Sequence, residues 1–123
     1  CDIKVDIKKL ANELALANTC VVVVTGQEDT VTDGKKLYIV SNGDKIMSGL
    51  VGLGCMAASV IGTFAAVEKD LAKASVSGLV CFEVAAEIAA ERSKGPGSFK
   101  VNFFDSLYNL NPAIVSDRQK IRC

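Results

Sequence analysis

Cys20-Val21-Val22-Val23-Val24-Thr25-Gly26 is the stretch on which the fold turns. Four β-branched valines follow a cysteine without a polar interruption. A run that does not alternate predicts a strand buried on both faces, as in the middle of a parallel sheet. Just upstream, residues 6–18 read as an amphipathic helix. Ile7, Leu10, Ala11, Leu14 and Ala17 recur at helical spacing, while Lys8, Lys9, Asn12 and Glu13 point outward. Asn18 is the expected stop. A helix leading into a buried strand is the α/β pattern.

Beyond Gly26 the pattern changes. Asp29-Thr30-Val31-Thr32 and Lys36-Leu37-Tyr38-Ile39-Val40 read as short strands joined around Asp33-Gly34, a hairpin signal. A polar turn, Ser41-Asn42-Gly43-Asp44, precedes a glycine-rich segment from Gly49 to Gly54. Residues 55–67 are apolar nearly all round and predict a buried helix. Asp70 is a good N-cap for a helix reaching about Ser93. Its frequent Ala, Ser and Gly permit close packing. Lys94-Gly95-Pro96-Gly97-Ser98 is a break. Phe99 to Leu110 reads as a last amphipathic helix, with Phe99, Phe103, Leu107 and Leu110 on one side. After Asn111-Pro112 the tail is polar, with no assigned structure.

Composition narrows the chemistry. The chain has 123 residues, half of them hydrophobic, which is one domain's worth with enough apolar material for a core. Lys plus Arg number 14, as do Asp plus Glu, so the basic excess of a nucleic-acid binder is absent and no nucleic-acid partner is expected. There is no histidine, which excludes a Ser-His-Asp triad, a Cys-His pair and a His-ligated zinc. The five cysteines are Cys1, Cys20, Cys55, Cys81 and Cys123, and none forms a C-x-x-C pair. They read as reduced thiols of a cytoplasmic protein, with Cys20 and Cys81 acting as small core hydrophobes and Cys1 and Cys123 standing at the two ends. From Ile46 to Val67 there is no charge, about a bilayer's worth of helix. Glycines interrupt that stretch and no basic cluster or aromatic belt flanks it, so no membrane association is expected.

Gly52-Leu53-Gly54-Cys55-Met56-Ala57 carries the most chemical information. Glycines let backbone N–H groups crowd round a ligand, and a helix that starts there points its free N–H groups and positive end at the same spot. Phosphoryl transfer needs such a site. The G-x-G-x-x-A spacing matches a dinucleotide fingerprint, but no strong strand precedes it. A Walker loop is ruled out by the missing Gly-Lys-Thr or Gly-Lys-Ser. Two readings remain: a kinase anion hole formed by Gly52, Leu53, Gly54 and Cys55, or a purely structural helix start. In the first, Cys55 sits at the positive helix end and can take or orient a hydroxyl proton. Thr25-Gly26 stands at a strand end, where α/β proteins place ligand contacts. Glu28 and Asp29 follow and are candidates for ordering a metal ion or its waters, although Glu28 reads better as a solvated hairpin acid.

These residues resemble one known family, the hydroxyethylthiazole kinases. The resemblance runs through Val21 to Asp29, Thr32-Asp33-Gly34, Ser41-Asn42-Gly43, Met47 to Met56, Ala65 to Glu68, Lys94 to Phe99 and Asp105 to Leu110, in the family's order and spacing. It implies a ribokinase-like, three-layer αβα fold, of which the chain is the C-terminal portion with a small β-hairpin. It further implies transfer of the ATP γ-phosphate, with magnesium, to the hydroxyl of 4-methyl-5-(2-hydroxyethyl)thiazole, a salvage step towards thiamine. By the same resemblance Thr25 contacts ATP, Gly52 contacts the thiazole alcohol, and Cys55 occupies the place where sugar kinases of the fold carry a catalytic Asp. The metal's ligands are not assigned. Homotrimers with active sites between subunits are implied for the full-length protein.

Three residues depart from the family's pattern. Val51 replaces a Thr, Leu53 replaces a small residue within the loop, and Gln27 replaces a Glu. The family's chain is roughly twice as long, and this one begins at Cys1 rather than at a methionine. The expectation is therefore that residues 1–123 are the C-terminal part of a single kinase domain. The alternatives are a related kinase of another small alcohol or vitamin precursor, and a non-catalytic fragment that only associates.

Overall fold

The computed structural model describes residues 6–123. Helix α1 (Ile7–Asn18) starts at Asp6, whose side chain accepts the Lys9 N–H, and ends where Thr19 turns left-handed. Its buried residues are Ala11 and Ala15. The expected inward face is thus displaced: Ile7, Leu10 and Leu14 remain 51–56% exposed. Two alanines one turn apart let the helix axis approach the sheet closely, and the larger side chains flank that contact.

Four strands follow: β1 (Val22–Val24), β2 (Asp29–Thr32), β3 (Leu37–Val40) and, from the far end of the chain, β4 (Ile121–Arg122). They form one antiparallel sheet in the order β1-β2-β3-β4. The predicted hairpin is present, with Thr32 opposite Leu37 and Asp29 opposite Val40. Asp33 Oδ1 accepts the N–H of Lys35 and of Lys36, closing the turn.

The valine run differs from its reading. β1 is a half-buried antiparallel edge strand, with no neighbour on its outer side among the described residues, and Cys20 is exposed. The connection from Val24 to Asp29 explains the direction. A parallel return needs a crossover of a dozen residues or more, so a short turn can only bring the chain back antiparallel.

Sheet residues alternate between two helical layers. Thr32 turns to α1, donating to Asn12 Oδ1 at 2.8 Å. Val31 and Val40 turn the other way, onto Val76, Leu79, Val80 and Val84 of helix α3 (Leu71–Glu91). β2 is buried along its length because it is covered on both faces. As expected, α3 begins at Asp70, whose side chain accepts the Lys73 N–H.

Helix α2 (Leu53–Ala65) and helix α4 (Pro96–Tyr108) pack on α3. A second core cluster joins Ala57, Phe82, Ala85, Ala86, Ala89, Phe99 and Phe103. The Phe82 and Phe103 rings meet edge to face at 4.9 Å. α2 begins two residues earlier than the apolar pattern indicates and is not buried all round. Ala57 is its one buried residue, since only the face towards α3 and α4 has partners among the described residues. The Gly-Pro-Gly break is shorter than its sequence suggests, because Pro96 opens α4, where its missing N–H costs nothing. The polar tail folds into helix α5 (Pro112–Arg118) before β4. No helix among the described residues is long and apolar enough to cross a membrane.

Candidate functional site

A cleft of about 570 Å³ opens where four segments converge: the turn after β1, the exit of β3, the start of α2 and the middle of α3. Thr25, Gly26 and Gln27 supply one wall. Ser41 to Lys45 supply a second, and Leu53, Gly54 and Ala57 a third. Leu79, Phe82 and Glu83 line it from α3. The fold therefore brings Thr25 beside Leu53 and Gly54 from distant parts of the sequence. Gly52 and Cys55 do not line this cleft; both are exposed at the start of α2.

Gly52 explains the loop's shape. Its φ of 95° lies in the region that favours glycine, and it carries no side chain to cap the helix. The first-turn N–H groups of Leu53, Gly54 and Cys55 are accordingly open to an external acceptor. A Cβ placed on Gly52 or Gly54 would meet nothing within 4 Å, so space surrounds these amides. The bulk of Leu53 goes elsewhere: its half-buried side chain packs against the Ala57–Phe82 cluster. Val51 is fully exposed.

Behind the cleft lies a network whose members the sequence pattern does not single out as site residues. Asn42 is buried. Its Nδ2 donates to Glu87 Oε1 and to the Arg118 carbonyl, and its Oδ1 accepts the Lys120 N–H at 2.7 Å. Glu87 Oε1 also accepts from the Gly43 N–H and Lys120 Nζ. One asparagine thus ties the β3 exit to α3 and to the tail. Its place within Ser41-Asn42-Gly43 is the available signal, but its partners lie 45 to 78 residues away.

The acids after Gly26 are committed to structure. Glu28 pairs with Arg122 of β4 and accepts from Ser41 Oγ. Asp29 is 2% exposed, and its Oδ1 accepts the Gly26 N–H at 2.7 Å, fixing the turn that carries Thr25. The candidate metal role for this pair finds no support in that geometry. Among the described residues no group of three Asp, Glu, Cys or His side chains could hold a cation.

Glu83, 6% exposed, is in hydrogen-bonding reach of Asp29. Burial, reinforced by the Asp29 carboxyl, pushes its pKa up to about 10. Cys81 is half-buried, and burial raises its thiol pKa, which keeps it inert.

Fold and cleft together define an α/β chain with an open helix start beside a strand-end turn, an arrangement suited to holding an anionic ligand. The sequence model of the Hydroxyethylthiazole kinase family matches residues 1–113. Hydroxyethylthiazole kinase of Methanosarcina mazei is 45% identical over 119 residues, covering 97% of this chain and 46% of that protein. The enzyme of the same name from Thermoanaerobacter pseudethanolicus is 46% identical over 118 residues, covering 94% of this chain and 45% of that one. The solved structure of the hydroxyethylthiazole kinase protein from Pyrococcus horikoshii OT3 superposes with a TM-score of 0.89 at 41% identity, over 94% of this chain and 45% of that chain. The chain belongs to the hydroxyethylthiazole kinase family and has the matching part of its ribokinase-like α/β fold. It spans a little under half the length of these relatives.

Proposed function

We propose that residues 1–123 form the C-terminal part of a single kinase domain that phosphorylates the hydroxyl of 4-methyl-5-(2-hydroxyethyl)thiazole with ATP, a step of thiamine salvage. The observation that carries this reading is the meeting of Thr25 with the open first-turn amides of α2 in one cleft. Thr25 and its turn contact the ATP phosphates. The amides of Leu53, Gly54 and Cys55 accept the negative charge that builds on the transferring phosphoryl oxygens. Gly52 leaves room for the thiazole alcohol, and Cys55 is the catalytic residue facing the acceptor hydroxyl. The Cys55 thiolate takes the hydroxyl proton and becomes the thiol, the freed oxygen forms a bond to the γ-phosphorus, and the bond from that phosphorus to the bridging oxygen breaks to release ADP.

Magnesium belongs to the nucleotide substrate in this scheme, entering as MgATP and neutralising phosphate charge. The rest of the thiazole pocket is assigned to the part of the domain that this chain does not span. A homotrimer with active sites between subunits, working in the cytoplasm, completes the proposal. The test is ATP-dependent conversion of the thiazole alcohol to its phosphate by the protein carrying this chain. ADP release that depends on the thiazole, and that falls with Thr25→Ala, is the expected result. Nucleotide binding that is indifferent to Thr25 and to the α2 start would overturn it.

A further inference from the structure

We propose that Glu83 is a positioning residue for the cleft: its carboxyl shares one proton with Asp29, and that proton holds the Thr25–Gly26 turn in the shape that receives nucleotide phosphates. The inference rests on the kinase reading above and adds a residue to it. Asp29 Oδ1 is already used by the Gly26 N–H. Its other oxygen, Oδ2, and Glu83 Oε2 are both buried without any hydrogen-bond donor. Two ionised carboxylates side by side in such a place are acceptors only, and each would repel the other. A single proton makes one of them a donor, satisfies both orphaned oxygens and leaves one negative charge spread over the pair.

The surroundings favour a proton over a cation. Among the described residues neither Glu83 nor Asp29 makes a salt bridge. The charged group nearest on α3 is Glu87, which adds repulsion and is itself occupied by Lys120, Asn42 and Gly43. Asp44 and Lys45 reach the cleft from the β3 exit, both exposed. The β3 side faces Glu83 with the uncharged Gly43, where an added Cβ would lie 3.7 Å from the Glu83 carboxyl carbon. Loss of the shared proton would place two negative charges directly behind the turn that meets the polyphosphate.

The test uses the intact chain and two readouts. A carbon-13 titration of its carboxyl groups follows Glu83 directly. The main Glu83 step is expected at alkaline pH, after a smaller change at acid pH when the pair takes its second proton; a single midpoint near that of a free glutamate overturns the shared proton. ADP binding is then measured by calorimetry at about pH 7.5 and about pH 10.5. Wild-type affinity is expected to fall about tenfold or more at the higher pH. Glu83→Gln, whose amide donates to Asp29 permanently, is expected to hold its affinity at both. Parallel losses in the two proteins would remove Glu83 from the positioning of the turn. A shift of the Glu83 signal on adding magnesium without nucleotide would assign the pair to a cation and overturn the proposal. Failure of the wild type to bind ADP at the lower pH would instead sink the kinase reading, and the carbon-13 titration would still decide the shared proton.

Discussion

Gly78 of α3 faces the backbone of α2 so closely that a Cβ added there would lie 2.9 Å from the Ile61 Cα. The obstacle is main chain, which cannot rotate away as a side chain can. Gly78→Ala must therefore push the two helices apart, and overpacking of this kind costs about 1–3 kcal/mol. Urea unfolding should show a lower midpoint with an unchanged slope. A wild-type midpoint in Gly78→Ala would mean that α2 sits further out than described.

Phe103 is fully buried between Phe82, edge-on at 4.9 Å, and Phe99, stacked at 5.7 Å. Truncation leaves a cavity that α3 and α4 can only partly close. Phe103→Ala should lose about 3–5 kcal/mol by thermal or chemical unfolding. Val101, on the exposed side of the same helix, serves as the control, and Val101→Ala should stay within about 0.5 kcal/mol of wild type.

Removal of the Asn42 side chain leaves the Lys120 N–H and the Arg118 carbonyl without partners. Both groups are only partly buried, so Asn42→Ala should cost about 1–3 kcal/mol in all. Hydrogen exchange gives the sharper reading. Amides of residues 120–122 should lose protection while those in the middle of α3 keep it.

Cys55 is exposed at the start of α2, so its replacement should leave thermal stability unchanged. On the proposed function, its effect falls on the phosphoryl transfer. Cys55→Ala should lower turnover by about 10²–10⁴-fold, the usual contribution of a positioned acid or base. Cys55→Asp should keep or raise activity, since a carboxylate at that position can take the hydroxyl proton in place of the thiol. Equal turnover in wild type and Cys55→Ala would take Cys55 out of the mechanism.

Two acids should give opposite pH signatures. Hydrogen bonds from the Lys73 N–H and from Lys36 lower the Asp70 pKa, so its contribution is present above its ordinary value of 3.8 and is lost as pH falls below it. The Glu83 pKa is raised instead. Its proton is bound more tightly in the folded chain, so its contribution is full below 4.5 and is lost as pH climbs towards about 10. Melting temperatures of Asp70→Ala should converge on wild type at low pH. Glu83→Gln should gain on wild type as pH rises, and a constant offset would contradict this.

Local signals are legible in the sequence because their causes are local. Asp70 caps its helix through a contact three residues away, and the Asp33-Gly34 turn closes on Lys35 and Lys36. The β2–β3 hairpin follows from that turn. The glycine loop also announces itself, since a helix start with open amides is a short-range arrangement. The valine run reports burial and not strand direction: among the described residues β1 has β2 as its one neighbour, and the four-residue connection between them makes that pairing antiparallel.

The amino-acid order by itself determined the four longer helices, the hairpin, the glycine loop and, through the joint order of its motifs, the family resemblance, but not helix α5 in the polar tail. Tertiary structure alone decided which residues meet. Asn42 finds Lys120 across 78 residues, and Glu28 finds Arg122 across 94. Asp29 and Glu83 come from a strand and a helix with two helical segments between them. No periodicity connects such positions. They are joined only when β2 lies down on α3, and the pair of buried carboxyls behind the cleft exists only after that packing.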